Sequence, residues 1–179
     1  MKKEINYNRI KEIEKSEYLE VSAGLLKKNI DCTESGRKLC DGRCCKGHVN
    51  EKQDGKVFVR YSKEELESFP KEVQKEVYKY ISKDLIVQNK DGVCVMIDFC
   101  LKNPKYKPIE CKLFPFSINS NGKLIVDRWA IFHCPNFGRG KISSYISLKD
   151  NLIDVFGEAC YKNIVKQVEK KQYMVDEWL

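Results

Sequence analysis

Cysteines gather in the middle of this chain, in stretches typical of loops. The chain has nine cysteines in 179 residues, and three of them lie in the run Cys40-Asp41-Gly42-Arg43-Cys44-Cys45. Packing cysteines behave as small apolar residues, whereas these stand among Gly, Asp, Lys, Arg and Pro. Grouped thiolates suit a soft metal ion or an iron–sulfur cluster. The sequence therefore predicts a cysteine-ligated metal site with the candidate ligands Cys40, Cys44, Cys45, Cys94, Cys100, Cys111 and Cys134.

The spacing of these cysteines favours a dispersed site. Zinc motifs usually pair ligands two to four residues apart, and Cys40-x-x-x-Cys44 fits such a pair loosely. Cys94 and Cys100 are further apart, and the adjacent pair Cys44 and Cys45 would rarely chelate one ion because neighbouring side chains diverge. A four-iron cluster needs only one protein sulfur per iron, so it accepts thiolates from separate segments. We predict a [4Fe–4S]-type cluster, with zinc as the alternative cofactor.

The remaining cysteines and both histidines are weaker candidates. Cys160 repeats the four-residue spacing of an apolar helix face, which predicts a core position. Cys32 is interpreted as a free or peripheral thiol. His48 and His133 could bind metal, but neither is favoured as a ligand; His133 is next to Cys134, and adjacent side chains point apart.

Several blocks of the chain, in order, resemble a known family. Gly42-Arg43-Cys44-Cys45 resembles the cysteine pair of the zinc- or iron-chelating cysteine-cluster family (the YkgJ-like, CxxCxxCC domain). Residues 91–98 look like its Gly-x-Cys segment, and Cys100 matches its next cysteine. Residues 107–116 are similar to its Arg-Pro-x-x-Cys block, and residues 133–140 correspond to its closing Cys-Pro segment.

This resemblance covers about residues 40–140 and implies a metal-binding domain of iron–sulfur or zinc type. Two departures concern the ligands, because Lys38 and Asp41 stand where the first two family cysteines would align, and a third places Asn136 where the family has Gly. The same domain type occurs in flagellin lysine N-methylase. The resemblance therefore implies two alternatives to a redox or cluster-assisted role: a structural zinc-binding interaction module, and an enzyme like a protein-lysine methyltransferase.

Composition excludes several classes of protein. The net charge of +7 comes from interleaved basic and acidic residues, so a nucleic-acid partner is disfavoured. The N-terminus lacks the apolar stretch of a signal peptide, and no apolar run is long enough for a membrane helix. We expect a cytoplasmic protein with reduced thiols, no membrane association, and an unidentified protein or redox partner.

The predicted fold class is α+β, with a small antiparallel sheet and cysteine-rich loops around the metal site, flanked by N- and C-terminal helices. The predicted organisation is a helical segment at 1–30, a metal-binding domain at 31–142 and a C-terminal helix at 143–179. Helices are expected at 7–28, at 62–81 with a pause at Pro70, and at 148–171. Strands are expected at 57–61, 85–87, 93–97, 112–118 and 123–128. Ser62 and Glu65 form a predicted capping box. Phe114-Pro115-Phe116 is expected to pack over the site.

Overall fold

One long helix, several short helices and two short antiparallel strand pairs make up the described part of the fold, which confirms the α+β class. The computed structural model describes residues 7–22, 29–30, 59–90, 93–119, 121–127, 130–131, 134–139 and 142–176. The α-helices are α1 (Tyr7–Ser16), α2 (Lys63–Glu67), α3 (Lys71–Val77), α4 (Ile97–Lys102), α5 (Ile109–Leu113), α6 (Ser144–Ser147) and α7 (Lys149–Asp176). The strands are β1 (Asn89–Lys90), β2 (Val93–Cys94), β3 (Phe116–Ile118) and β4 (Leu124–Val126), and β1 pairs with β2 and β3 with β4.

The chain divides into two compact units. The terminal unit combines Met1–Asp41 with Leu113–Leu179, and the central unit is Gly42–Lys112. Within the described ranges, no helix combines the length and apolar character that a bilayer crossing requires.

The terminal unit is built on the packing of α1 against α7. Ile10 and Ile13 are buried on α1, as the helical spacing predicts. On α7 the buried positions recur at helical intervals, at Leu152, Phe156, Cys160, Ile164 and Val168. The predicted helix at 148–171 is therefore confirmed, although α7 has a kink at Gly157, whose φ of 82° and ψ of 161° are not helical.

The first helix is much shorter than predicted. It ends at Ser16, and Glu17 has a φ of 53°, so the predicted extent to residue 28 is wrong where it covers residues 17–22. Leu19 and Val21 are buried with the two-residue spacing of extended chain, and Val21 forms a parallel bridge with Leu124 of β4. Pairing with the hairpin satisfies this backbone, because Leu124 donates its N–H to Glu20 O at 2.8 Å.

The central unit surrounds a small apolar core. Its buried members come from helices and extended segments, namely Tyr61, Leu66, Val77, Ile81, Val87 and Met96. The predicted strands at 57–61 and 85–87 appear as isolated bridges, Arg60 with Ile86 and Ile81 with Val87. Residues 57–58 lie outside the described part of the chain.

The helix start at Ser62 is confirmed in detail. Ser62 is the N-cap of α2, and its hydroxyl accepts the Glu65 N–H at 3.0 Å. Pro70 separates α2 from α3, as predicted, but α3 ends at Val77 before the predicted end near Ile81. Ile81 instead takes part in its bridge to Val87.

Two predicted strands become partly helical. The apolar run at 93–97 is a strand only to Cys94, because α4 begins at Ile97 and the Cys100 N–H bonds Met96 O at 2.8 Å. The second hairpin is confirmed as β3 and β4, but its predicted first residues, Lys112 and Leu113, belong to α5. The Asn119 side chain organises the hairpin turn by accepting the N–H groups of Asn121 and Lys123.

Candidate metal centre

The predicted ligands fall in different parts of the chain. Cys94, Cys100 and Cys111 lie in the central unit and Cys134 in the terminal unit, and all four are half-buried. The predicted ligands Cys40, Cys44 and Cys45 lie outside the described residues. So do Cys32, His48 and His133.

Three separate elements carry the central-unit thiols. Cys94 ends β2, where its backbone pairs with Asn89 of β1. Cys100 lies on α4, and Cys111 lies on α5. A 3-10 helix at Pro104–Tyr106 connects α4 towards α5. The three thiols thus lie on separate elements of one unit and span 17 positions of the sequence, from Cys94 to Cys111.

These three thiols, the Tyr61 thiols, share a buried aromatic neighbour. Tyr61 is 1% exposed, and its hydroxyl donates to the carbonyl of Tyr106 at 2.8 Å and lies 3.9 Å from Met96 Sδ. The Tyr61 ring meets Phe69 edge-on at 5.9 Å between centroids, and Phe69 meets Tyr106 at 5.1 Å. Cys94 and Cys100 pack against the same apolar core.

The three thiols interact electrostatically with the Tyr61 phenol. Burial raises the pKa of Tyr61 above its ordinary value, and negative charge on Cys100, Glu65, Cys111 and Cys94 raises it further. Burial also raises the pKa of the Cys100 thiol to about 11, with a smaller contribution in the same direction from Cys94. Lys107 acts in the opposite direction on Cys100. All three Tyr61 thiols therefore lie within electrostatic range of one buried group.

The Tyr61 thiols do not by themselves form a metal-binding group. Within the described ranges, no set of three or more His, Cys, Asp or Glu side chains is arranged to hold a metal ion. The donor chemistry fits a thiolate-binding metal or cluster, because sulfur is the donor that zinc and iron–sulfur clusters take from cysteine. A complete site needs four such ligands, so at least one further donor has to join these three.

The terminal unit holds the other two described cysteines in different settings. Cys134 begins a turn in which its carbonyl accepts the Phe137 N–H at 3.0 Å. Cys160 is fully buried on α7, which confirms its predicted core position. Phe116 of the Phe-Pro-Phe run is also buried in this unit.

Sequence reasoning did not identify the groups that surround the thiols. The sequence pattern predicts Tyr61 only as the end of the strand at 57–61, and Met96 as part of the strand at 93–97. Their roles depend on pairings between distant segments, and nothing in the local pattern signals these pairings.

An open, acidic depression lies on the same unit. Its volume is about 410 Å³, and its lining includes Glu72, Glu76, Asp98, Tyr80 and Phe99. Glu76 already accepts hydrogen bonds from Lys79 and Tyr80. Two of the lining residues, Glu76 and Tyr80, are therefore hydrogen-bonded to each other.

No protein-family model matches this chain, and no significant match was found among curated proteins or among solved structures.

Proposed function

We propose that this chain is a metal-binding protein whose cysteine-ligated site lies in the central unit and holds an iron–sulfur cluster of the [4Fe–4S] type. The observation that carries the proposal is that Cys94, Cys100 and Cys111 all lie within electrostatic range of one buried side chain, Tyr61. These thiols come from a strand and two helices, and the core contains other side chains that would serve for packing. Cys94 and Cys100 pack at the edge of the small core, and with Cys111 the unit has three half-buried thiols, which is more than packing requires.

The fourth ligand is proposed to come from the cysteine pair at 44 and 45. Both positions fall within the sequence range of the central unit, and a four-iron cluster takes one protein thiolate per iron. Adjacent side chains diverge, so one member of the pair is the ligand and the other is free or serves elsewhere. Cys40 and Cys134 belong to the range of the terminal unit; as predicted ligands beyond the four of one cluster, they are spare or serve a second site.

Other side chains of the central unit would support such a site. When bound, an iron–sulfur cluster supplies one-electron redox chemistry. Tyr61, Met96 and Phe69 form an apolar surrounding that limits water, which is one of the ways a protein tunes a cluster. Lys107 contributes positive charge near Cys100, which favours a thiolate there.

The test is a visible absorption spectrum of protein purified without oxygen. We expect a brown protein with broad charge-transfer absorption, and loss of that absorption in Cys94→Ser and Cys100→Ser. Cys160→Ser is the matched control, because that thiol is buried on α7 in the other unit, and it should keep the colour. A colourless protein that retains one zinc would overturn the iron proposal and favour the structural zinc module. Full colour in both ligand variants would contradict the proposed ligands.

A further inference from the structure

A buried carboxylate joins the first helix of the central unit to the helix that carries Cys111. Glu65 lies on α2 and is 5% exposed. Its Oε1 accepts the backbone N–H of Ile109 at 2.9 Å, across 44 positions of sequence. Carboxylates are seldom buried this deeply unless they are hydrogen-bonded, so the bond explains the position.

The bonded N–H is one that α5 cannot satisfy itself. The first N–H groups of any helix have no partner within it, and Ile109 is the first residue of α5. The preceding residue, Pro108, has no N–H, and its carbonyl accepts the Lys112 N–H at 2.9 Å. The Glu65 carboxylate therefore caps α5 from another part of the chain.

A helix of five residues depends on such contacts. Nucleation of a single turn is unfavourable without outside support, so α5 is held in place by its tertiary partners. Cys111 lies two residues after Ile109, in the turn that the carboxylate caps. The hydrogen bond thus fixes the backbone from which the Cys111 thiol projects.

The carboxylate is itself held firmly. Ser62 Oγ accepts the Glu65 N–H at 3.0 Å, and the Ser62 N–H bonds back to the carboxylate. The next residue, Leu66, is 1% exposed in the core. A rigid acceptor of this kind restricts where the Ile109 N–H can lie.

We propose that Glu65 is a positioning residue that sets the Cys111 helix for metal binding. The inference rests on the proposed function only for its metal-binding part. The geometry requires a hydrogen-bond acceptor at position 65, and it does not require a charge.

Four variants separate this role from simple helix capping. Glu65→Leu removes the acceptor, Glu65→Gln keeps an oxygen of the same reach, and Glu65→Asp keeps the charge but shortens the side chain. Ser62→Ala weakens the local N-cap of α2 and leaves the Glu65 carboxylate in place. Amide hydrogen exchange of α5 and the alkylation rate of Cys111 are measured in metal-free protein, and bound metal is measured in protein purified without oxygen.

We expect exchange at Ile109 to become about tenfold faster in the Leu and Asp variants, which corresponds to about 1.4 kcal/mol for the lost hydrogen bond. Alkylation of Cys111 should accelerate and metal content should fall in the same two variants. The Gln variant should match the wild type in all three measurements. Ser62→Ala keeps the backbone N–H that bonds the carboxylate, so it should change exchange at Ile109 less than the Leu and Asp variants do.

If a folded Leu or Asp variant exchanged the Ile109 amide hydrogen at the wild-type rate, the proposal would be overturned. A Gln variant that exchanged as fast as the Leu variant would also overturn it. If the Leu variant does not fold, the Asp and Gln variants still decide the question. If the wild-type protein holds no metal, the proposed function fails, while exchange and alkylation still test whether Glu65 positions the helix.

Discussion

Cys160 of the terminal unit and the three described cysteines of the central unit lie in different environments. In the terminal unit, Cys160 is fully buried within a 28-residue helix, among apolar side chains. In the central unit, Cys94, Cys100 and Cys111 are half-buried on short elements around Tyr61. Cys160 therefore serves as a packing group, whereas the three central-unit thiols are only half-buried, as our proposal that they bind metal requires.

The units also differ in what holds them together. The terminal unit has a long helix, a hairpin and side-chain ties such as Gln167, whose amide bonds both Leu19 O and the Val21 N–H. In the central unit the α-helices have five to seven residues and the strands two. Helices this short are not stable alone, so the central unit depends on caps, core contacts and, in our proposal, metal.

The largest expected effect is the difference in metal content between a cysteine variant of the central unit and one of the terminal unit. Cys111→Ala should abolish metal binding, because a cluster or zinc site lacking one of its thiolates is incomplete. Cys160→Ala should keep full metal content and lose only the packing of one small side chain. Metal analysis of both variants makes the comparison, and equal metal content in the two would contradict the distinction between the units.

The next largest effect is a pH dependence that belongs to the central unit. Burial raises the pKa of Glu65 to about 7, opposed by the Ile109 and Ser62 N–H groups and by Lys112, while Glu110 adds to the increase. A raised pKa means that the folded state holds the proton more tightly than the unfolded state. Protonated Glu65 therefore contributes its full amount to the free energy of unfolding below about pH 4.5, and this contribution is lost as the pH rises to about 7.

The size of this loss is about 3 kcal/mol in the free energy of unfolding. Denaturant unfolding of metal-free protein at acid and neutral pH should show it in the wild type and not in Glu65→Gln. Parallel pH profiles for the two proteins would contradict the raised pKa.

A glycine substitution in the terminal unit should lower stability without changing metal content. Gly157 has a φ of 82° and a ψ of 161°, a conformation open almost only to glycine, and an added Cβ would meet no atom within 4 Å. Gly157→Ala should therefore cost about 2 kcal/mol through backbone strain alone. Thermal unfolding should detect this loss with metal content unchanged, whereas Lys162→Ala, at an exposed position of the same helix, should change little. Loss of metal in Gly157→Ala would show that the distinction between the units is wrong.

The smallest expected effect concerns the aromatic neighbour of the thiols. Tyr61→Phe removes one hydrogen bond to Tyr106 O and keeps the ring, so we expect a loss of about 1 kcal/mol in stability. Metal should be retained, because the ring still excludes water. Tyr18→Phe, at a position that is 52% exposed, is the control for removing a hydroxyl. Loss of metal in Tyr61→Phe alone would assign the hydroxyl a direct role in binding.

Local signals predicted the parts of the fold that local chemistry decides. The Ser62 cap, the break at Pro70 and the hairpin of β3 and β4 all depend on residues close in sequence, and the structure contains each. The buried face of α7 follows from its periodicity in the same way.

Tertiary pairing decided the parts that were predicted wrongly. The first helix gives way to extended chain because Val21 pairs with Leu124, more than 100 residues away. The five-residue apolar run from Val93 to Ile97 is too short for periodicity to separate strand from helix. The electrostatic interaction of the three thiols with Tyr61, and the bond from Glu65 to Ile109, likewise connect distant segments without a local signal.

The central claim is that the cysteines of the central unit hold an iron–sulfur cluster. Its most direct test is the content of iron, acid-labile sulfide and zinc per chain after purification without oxygen. We predict about four iron and four sulfide ions per chain, as a [4Fe–4S] cluster requires. Protein that contains zinc without sulfide, or that retains neither metal, would contradict the claim.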